Sequence, residues 1–136
     1  MTKQNRVKQL TVAVPAYNAE VYLKQCMDSL VGADDRLEIL VVNDGSTDQT
    51  ETIANRYVDA YPEQVRLINK KNGGHGSVIN CAAELANGRY FKIIDADDWV
   101  VRDNIGSLLD ALEQTKADAV ITGYQTIHEG SGKILT

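Results

Sequence analysis

The sequence predicts an α/β fold, an open and mostly parallel sheet with helices on both faces. Three observations carry that prediction. Short β-branched and aliphatic runs alternate with helix-period segments in a β-α-β-α-β-α-β-α-β order with short connections. The second run, Leu37-Glu38-Ile39-Leu40-Val41-Val42, is almost continuously apolar, as a strand covered on both faces should be. The fourth run, Tyr90-Phe91-Lys92-Ile93-Ile94, ends abruptly in Asp95-Ala96-Asp97-Asp98, three carboxylates within four residues.

Residues 1–8 are polar and basic and read as a loose arm. Leu10-Thr11-Val12-Ala13-Val14 is the first strand, stopped by Pro15 and followed by the loop Ala16-Tyr17-Asn18. Asn18 is placed to cap a helix with Leu23, Cys26, Met27, Leu30 and Val31 on one face, and Gly32 is a stop. After the second strand comes Asn43-Asp44-Gly45-Ser46. Ser46 with Gln49 three residues on has the form of a capping box. The helix it opens carries Ile53, Ala54, Tyr57, Val58 and Tyr61 on one side and ends before Pro62. Val65-Arg66-Leu67-Ile68 is a short third strand, leading into Asn69-Lys70-Lys71-Asn72-Gly73-Gly74-His75-Gly76. A third helix follows, with Val78, Cys81, Ala82, Leu85 and Ala86 on one face and Asn87-Gly88 as its end. Beyond the acidic run, Asp103 is placed to cap a fourth helix that turns Ile105, Leu108, Leu109 and Leu112 inward. Ala119-Val120-Ile121-Thr122 reads as a fifth strand, and residues 124–136 as an irregular, turn-like tail.

At 136 residues the chain fits one domain, 1–136, large enough to bury a core. Hydrophobic residues make up 43% and the net charge is −5, so neither a nucleic-acid backbone nor an anionic membrane is the expected partner. A nucleotide stays open if a metal offsets its phosphates. No apolar run reaches membrane-spanning length and the amino terminus lacks a signal-peptide core, so a cytoplasmic location is expected. Cys26 and Cys81 have neither CxxC spacing nor neighbouring ligands, and both fall on apolar stripes. They read as buried reduced thiols rather than a disulfide or zinc site.

In an open parallel sheet every strand's carboxyl end points to one edge, where ligands bind near a topological switch. Four polar clusters of this chain fall at such ends: Pro15-Ala16-Tyr17-Asn18, Asn43-Asp44-Gly45-Ser46, the Gly-rich loop, and Asp95-Ala96-Asp97-Asp98. Like charges packed so closely repel, so the acidic run is either a divalent-metal site or an acidic turn that caps the next helix. Asn18 and Ser46 are open to the plainer reading of helix caps. The Gly-rich loop has no Lys-Ser or Lys-Thr after its last Gly, so it is not a phosphate-cradling P-loop. It offers amides at a helix start to an anion, and His75 is either a phosphate contact or an ordinary polar loop residue.

With these residues in order, the chain resembles the family 2 glycosyltransferases, whose nucleotide-binding half is a Rossmann-like part of the GT-A fold. The matching segments are Val14-Pro15-Ala16-Tyr17-Asn18, Val42-Asn43-Asp44-Gly45-Ser46-Thr47-Asp48, residues 72–80, and Gly88-Arg89-Tyr90 through Asp95-Ala96-Asp97-Asp98. The resemblance implies a nucleoside diphosphate sugar as donor, most often a uridine diphosphate sugar. It implies Mn2+ or Mg2+ on the diphosphate, in keeping with a D-x-D motif at Asp95 and Asp97. Asp97 is then the direct metal ligand, Asp95 faces the ribose or a metal-bound water, and Asp98 orients that shell. Asp44 is implied to contact the base, as uracil N3–H donates to a carboxylate and the bare N3 of cytosine cannot. Pro15, Ala16, Tyr17, Asn18, Asn72, Gly74 and Ala96 complete the implied nucleotide-sugar site, with Tyr17 offering a stacking face.

The resemblance further implies inversion at the anomeric carbon and a role in cell-surface polysaccharide synthesis. It also implies a general base and most of a carbohydrate or lipid-linked acceptor site from segments beyond Thr136, which bring any membrane association. One departure is Val78-Ile79-Asn80, where the family commonly has Ala-Arg-Asn; Lys70, Lys71 and His75 are candidates to compensate for the missing Arg. Arg102 stands where a Pro is often found and reads as a neutral loop variation. Two other classes compete with this reading. A phosphoacceptor receiver domain needs acids after strand one, an Asp after strand three and a Lys after strand five, and this chain lacks all three. A non-catalytic nucleotide-sugar-binding regulatory domain remains compatible with the residues.

Overall fold

The computed structural model describes residues 7–120, 126–127 and 134–135. Four parallel strands form one sheet in the order β3-β2-β1-β4: β1 (Leu10–Ala16), β2 (Leu37–Asp44), β3 (Val65–Lys70) and β4 (Tyr90–Ile93). The helices are α1 (Leu23–Leu30), α2 (Thr50–Ala60), α3 (His75–Leu85) and α4 (Ile105–Gln114). The expected α/β class and the helices on both faces are therefore observed.

Alternation along the strands builds two cores. Leu10, Val12, Val14 and Ala16 of β1, with Leu37, Ile39 and Val41 of β2, pack against the buried stripes of α1, α2 and α4. Ala13 of β1, with Leu40 and Val42 of β2, faces Val78 and Ala82 of α3. This division follows from connection handedness. The chain steps from β1 to β2 to β3 with α1 and α2 on one face. It then returns across β1 to reach β4, which puts α3 on the other face of a right-handed crossover. All eight residues of β2 are buried, which explains its unbroken apolar run.

Several local expectations need correction. None of the first, second or fourth helices is capped by the residue expected. Asn18 is bonded across to the β2–α2 loop, and α1 starts five residues later with Tyr22 at its N-cap position and no side-chain cap. Helix α2 starts at Thr50, not after Ser46, because the side chain of Asp48 accepts from the Thr50 N–H at 2.9 Å. Asp103 lies in a 3-10 turn, Arg102–Asn104, ahead of α4 and makes no side-chain cap. Arg102 is not neutral: its Nη1 donates to the carbonyls of Asp28 (3.1 Å) and Val31 (2.6 Å), satisfying the open C-terminal end of α1.

The expected fifth strand does not begin at Ala119 and Val120, which are not in a strand, and Ile121 and Thr122 lie outside the described residues. The tail carries a short antiparallel pair, β5 (Thr126–Ile127) with β6 (Ile134–Leu135), where only turns were expected. Of the amino-terminal arm, residues 1–6 lie outside the described residues, while Lys8 is already tied down by a 2.8 Å bond from its Nζ to the Asp35 carbonyl. Both cysteines are free thiols; Cys26 is fully buried as expected, but Cys81 is only half-buried.

Candidate functional site

Because the four strands are parallel, Ala16, Asp44, Lys70 and Ile93 end on the same edge. The order of the strands reverses between β1 and β4, so the crevice favoured for ligands opens above that pair. Pro15 helps to open it. Ala13 accepts from the Ile94 N–H, so β1 still pairs with β4 at that point. Pro15 is two residues on and faces the same neighbour, but it has no N–H to offer. Pairing stops there and the acidic run departs from the sheet.

The loops after β1 and β2 are laced together. The Asn18 N–H donates to Ser46 Oγ (2.9 Å), and Asn18 Oδ1 accepts from the Thr47 N–H (2.8 Å). The Ala19 N–H donates to Thr50 Oγ1 (2.8 Å), and the Gln49 N–H donates to a Glu20 carboxylate oxygen (3.0 Å). Burial opposes the charge of Asp48, yet donors from Thr50 and the Glu20 N–H outweigh it and hold its pKa below the usual range. Asn18 has a φ of 48°, a left-handed conformation that Asn tolerates better than most residues. This lacing leaves Ala16 buried and Tyr17 55% exposed at the rim.

Asp44 is the buried acid of the site, 6% exposed at the last position of β2. Its Oδ1 accepts from Lys70 Nζ (2.9 Å) and the Gly73 N–H (2.9 Å), and its Oδ2 from the Gly74 N–H (3.0 Å). The Lys70 ammonium, then the two amides, lower its pKa against the upward push of burial. Two glycines make this convergence sterically feasible. A Cβ on Gly73 would lie 2.9 Å from Lys70 Nζ, and one on Gly45, which has a φ of +74°, would lie 2.8 Å from the Asn72 N. Asn72 thus packs on the β2–α2 loop, and Gly74 is the N-cap of α3, which His75 begins.

The acidic run lies across the crevice. Asp95, Asp97 and Asp98 are exposed, and each offers a carboxylate oxygen within 4.8 Å of the others. Oxygens on one octahedral ion stand about 3–4 Å apart, so small rotations close this set around a divalent cation. The crowding has a cost. Burial and then the charges of Asp97 and Asp95 raise the pKa of Asp98. Burial, followed by the same three carboxylates, pushes the Cys26 thiol up to about 12. A hard dication relieves such repulsion and suits an all-oxygen donor set. Ala96 turns the other way into the α1/α2/α4 core, and the Asp98 N–H donates to the Asp95 carbonyl at 2.9 Å, which fixes the turn between them.

The structure thus gathers Pro15, Ala16, Tyr17, Asn18, Asp44, Asn72, Gly74, Asp95, Ala96, Asp97 and Asp98 around the carboxyl edge. Lys70, a candidate stand-in for the missing Arg, is already committed to Asp44 and to the Lys71 carbonyl (2.8 Å). Its pairing with Asp44 is not legible in the sequence, because only the β2–β3 register sets the two opposite each other. Ile79 is half-buried in α3, while Lys71 and His75 are exposed.

The family model described as Glycosyl transferase family 2 matches residues 11–134. A putative glycosyltransferase, EpsH of Bacillus subtilis, is 34% identical over 93% of this chain and 36% of its own length. The crystal structure of S. aureus TarS 1-349 in complex with UDP superposes with a TM-score of 0.68 at 26% identity, covering 78% of this chain and 32% of that one. The mannosyltransferase PcManGT from Pyrobaculum calidifontis, solved with GDP-Man and Mn2+, superposes with a TM-score of 0.67 at 28% identity, covering 86% and 35%. The chain spans 12% to 41% of the length of the curated relatives it matches. Among the described residues, no helix is long and apolar enough to cross a membrane.

Proposed function

The chain belongs to glycosyl transferase family 2, and we propose that residues 1–136 carry the donor site of an enzyme moving a sugar from a nucleoside diphosphate sugar, a uridine diphosphate sugar in our reading, to an acceptor hydroxyl. The observation that carries this is the meeting of buried, ionised Asp44 and the open Asp95/Asp97/Asp98 cluster on one rim, at the reversal of the sheet. Tyr17 stacks on the base and Asp44 accepts its ring N–H. Asn72 and Gly74 line the approach to the base, with Pro15, Ala16, Asn18 and Ala96 shaping the pocket. Asp97 and Asp95 hold Mn2+ or Mg2+, and Asp98 steadies their donors. When bound, that ion stabilises the negative charge that builds on the departing diphosphate.

Transfer is a single displacement. The acceptor oxygen bonds to the anomeric carbon from the face opposite the diphosphate, which leaves with the bonding electron pair, and the configuration inverts. A carboxylate outside this donor half takes the hydroxyl proton. The acceptor, a carbohydrate or a lipid-linked one, is held mainly by the same outside segments.

Titration calorimetry with uridine diphosphate, with and without Mn2+, tests the donor site. Binding is expected to require the metal and to weaken at least about tenfold in Asp97→Ala. Binding that ignores both the metal and the substitution removes the proposal.

A further inference from the structure

The donor-site reading leaves the base open in one respect, since uracil and guanine both present a ring N–H to a carboxylate. The hydrogen bonds already made by Asp44 distinguish them. An ionised carboxylate has about four acceptor positions, two on each oxygen. Lys70 Nζ and the Gly73 N–H fill both positions on Oδ1, and the Gly74 N–H fills one on Oδ2. One position is left. Uracil needs one, for its single N3–H between two carbonyls. Guanine presents N1–H and the adjacent 2-amino group, a pair that matches both oxygens of an unencumbered carboxylate. Here the second donor finds Oδ1 taken.

We propose that Lys70 is a specificity-determining residue, which rations Asp44 to a single base N–H and so selects a uracil-type pyrimidine over guanine. This rests on the donor-site reading above and goes beyond it, because neither the acid nor the metal cluster makes that choice. The placement of Lys70 is well determined. It stands directly opposite Asp44 in the β2–β3 register, its ammonium has a second bond to the Lys71 carbonyl, and its side chain is largely buried. Gly73 leaves room for this placement, since a Cβ there would lie 2.9 Å from Lys70 Nζ and the ammonium would have to shift. Replacing Lys70 by Met returns one acceptor position on Oδ1 while both glycine amides still hold the carboxylate. Oδ1 and Oδ2 then have one free position each, the arrangement that guanine takes.

The probes are UDP, GDP and IDP with Mn2+, titrated into the wild-type chain and Lys70→Met. IDP carries the guanine ring edge without its 2-amino group. In the wild type, UDP is expected to bind best and GDP no tighter than IDP. In Lys70→Met, GDP is expected to bind about tenfold tighter than IDP, the size of one added hydrogen bond to a charged acceptor. Wild-type GDP binding well above IDP, or as tight as UDP, overturns the proposal, as does an unchanged GDP/IDP ratio in a folded Lys70→Met. The wild-type comparison decides by itself if the variant does not fold. Failure of the donor-site reading looks different: no nucleoside diphosphate binds the wild type at all.

Discussion

Glu38 illustrates how a single buried acid can serve folding instead of chemistry. Only 5% exposed on β2, it accepts from Thr11 Oγ1 (2.8 Å) and the Asn87 N–H (2.9 Å) on Oε1. Asn87 Nδ2 (2.9 Å) and Arg66 Nη2 (3.3 Å) serve Oε2. Burial pushes its pKa up, but these bonds from Asn87, Thr11 and Arg66 win and set it below the ordinary 4.5. A depressed folded pKa stabilises the fold above the unfolded value, and that contribution is lost as pH falls through the folded one. Glu38→Gln is therefore expected to cost about 1–3 kcal/mol at pH 7. Urea denaturation should show the gap to wild type narrowing as pH drops from 4.5 toward 3; a gap that is constant with pH would mean the charge is irrelevant. At this scale the acids of the site were legible in the sequence, since Asp44 and the 95–98 run interrupt apolar strands at their ends. Lys70 was not, because its partner lies 26 residues away and only the sheet register brings them together.

Elements tell a similar story. The strands and the buried faces of the helices were legible from periodicity, because burial on one or both faces imposes it. Helix starts were not. Asn18, Ser46 and Asp103 all have cap-forming side chains, but Asn18 and Ser46 found partners in each other's loops, where a tertiary bond replaced the local one. Strand β4 is the element on which the site depends most. It is four residues long, and among the described residues it pairs only with β1. Its start is pinned by Asn87 on Glu38, by the Gly88 N–H on Thr11 Oγ1 (2.8 Å), and by Arg89 Nη1 on the Leu112 carbonyl (3.0 Å). A Cβ on Gly88 would collide with the Thr11 N and lie 2.7 Å from the Leu10 carbonyl carbon, both backbone. Gly88→Ala must shift β4 against β1, and with it the acidic run. It should cost about 1–3 kcal/mol and lower Mn2+ affinity as well. Melting curves and metal titration check the two together, and a loss of stability with unchanged metal affinity would separate the pin from the site.

For the whole molecule, the acidic rim is a local opponent of the fold. Three carboxylates converge where nothing cationic among the described side chains pairs with them, and their mutual repulsion is felt by Asp98 and by Cys26 beneath. Sites held in this way for a ligand trade stability for function, so relieving the conflict should stabilise the empty protein. Asp97→Ala removes one of the repelling charges, and among the described residues no hydrogen bond depends on its side chain, so without metal the variant should melt higher than wild type, by about 1–3 °C. With Mn2+ and UDP in excess the order should reverse. A ligand that binds only the folded state adds about 2.7 kcal/mol at a hundredfold excess over its Kd. For a chain of this size that is roughly 10 °C, available to wild type and largely withheld from Asp97→Ala. Two melting curves per protein, with and without the ligands, suffice. A crossing of wild type and variant identifies the cluster as a cation site built at the expense of the empty fold. Parallel shifts, or a variant less stable in both conditions, would make it an ordinary acidic turn.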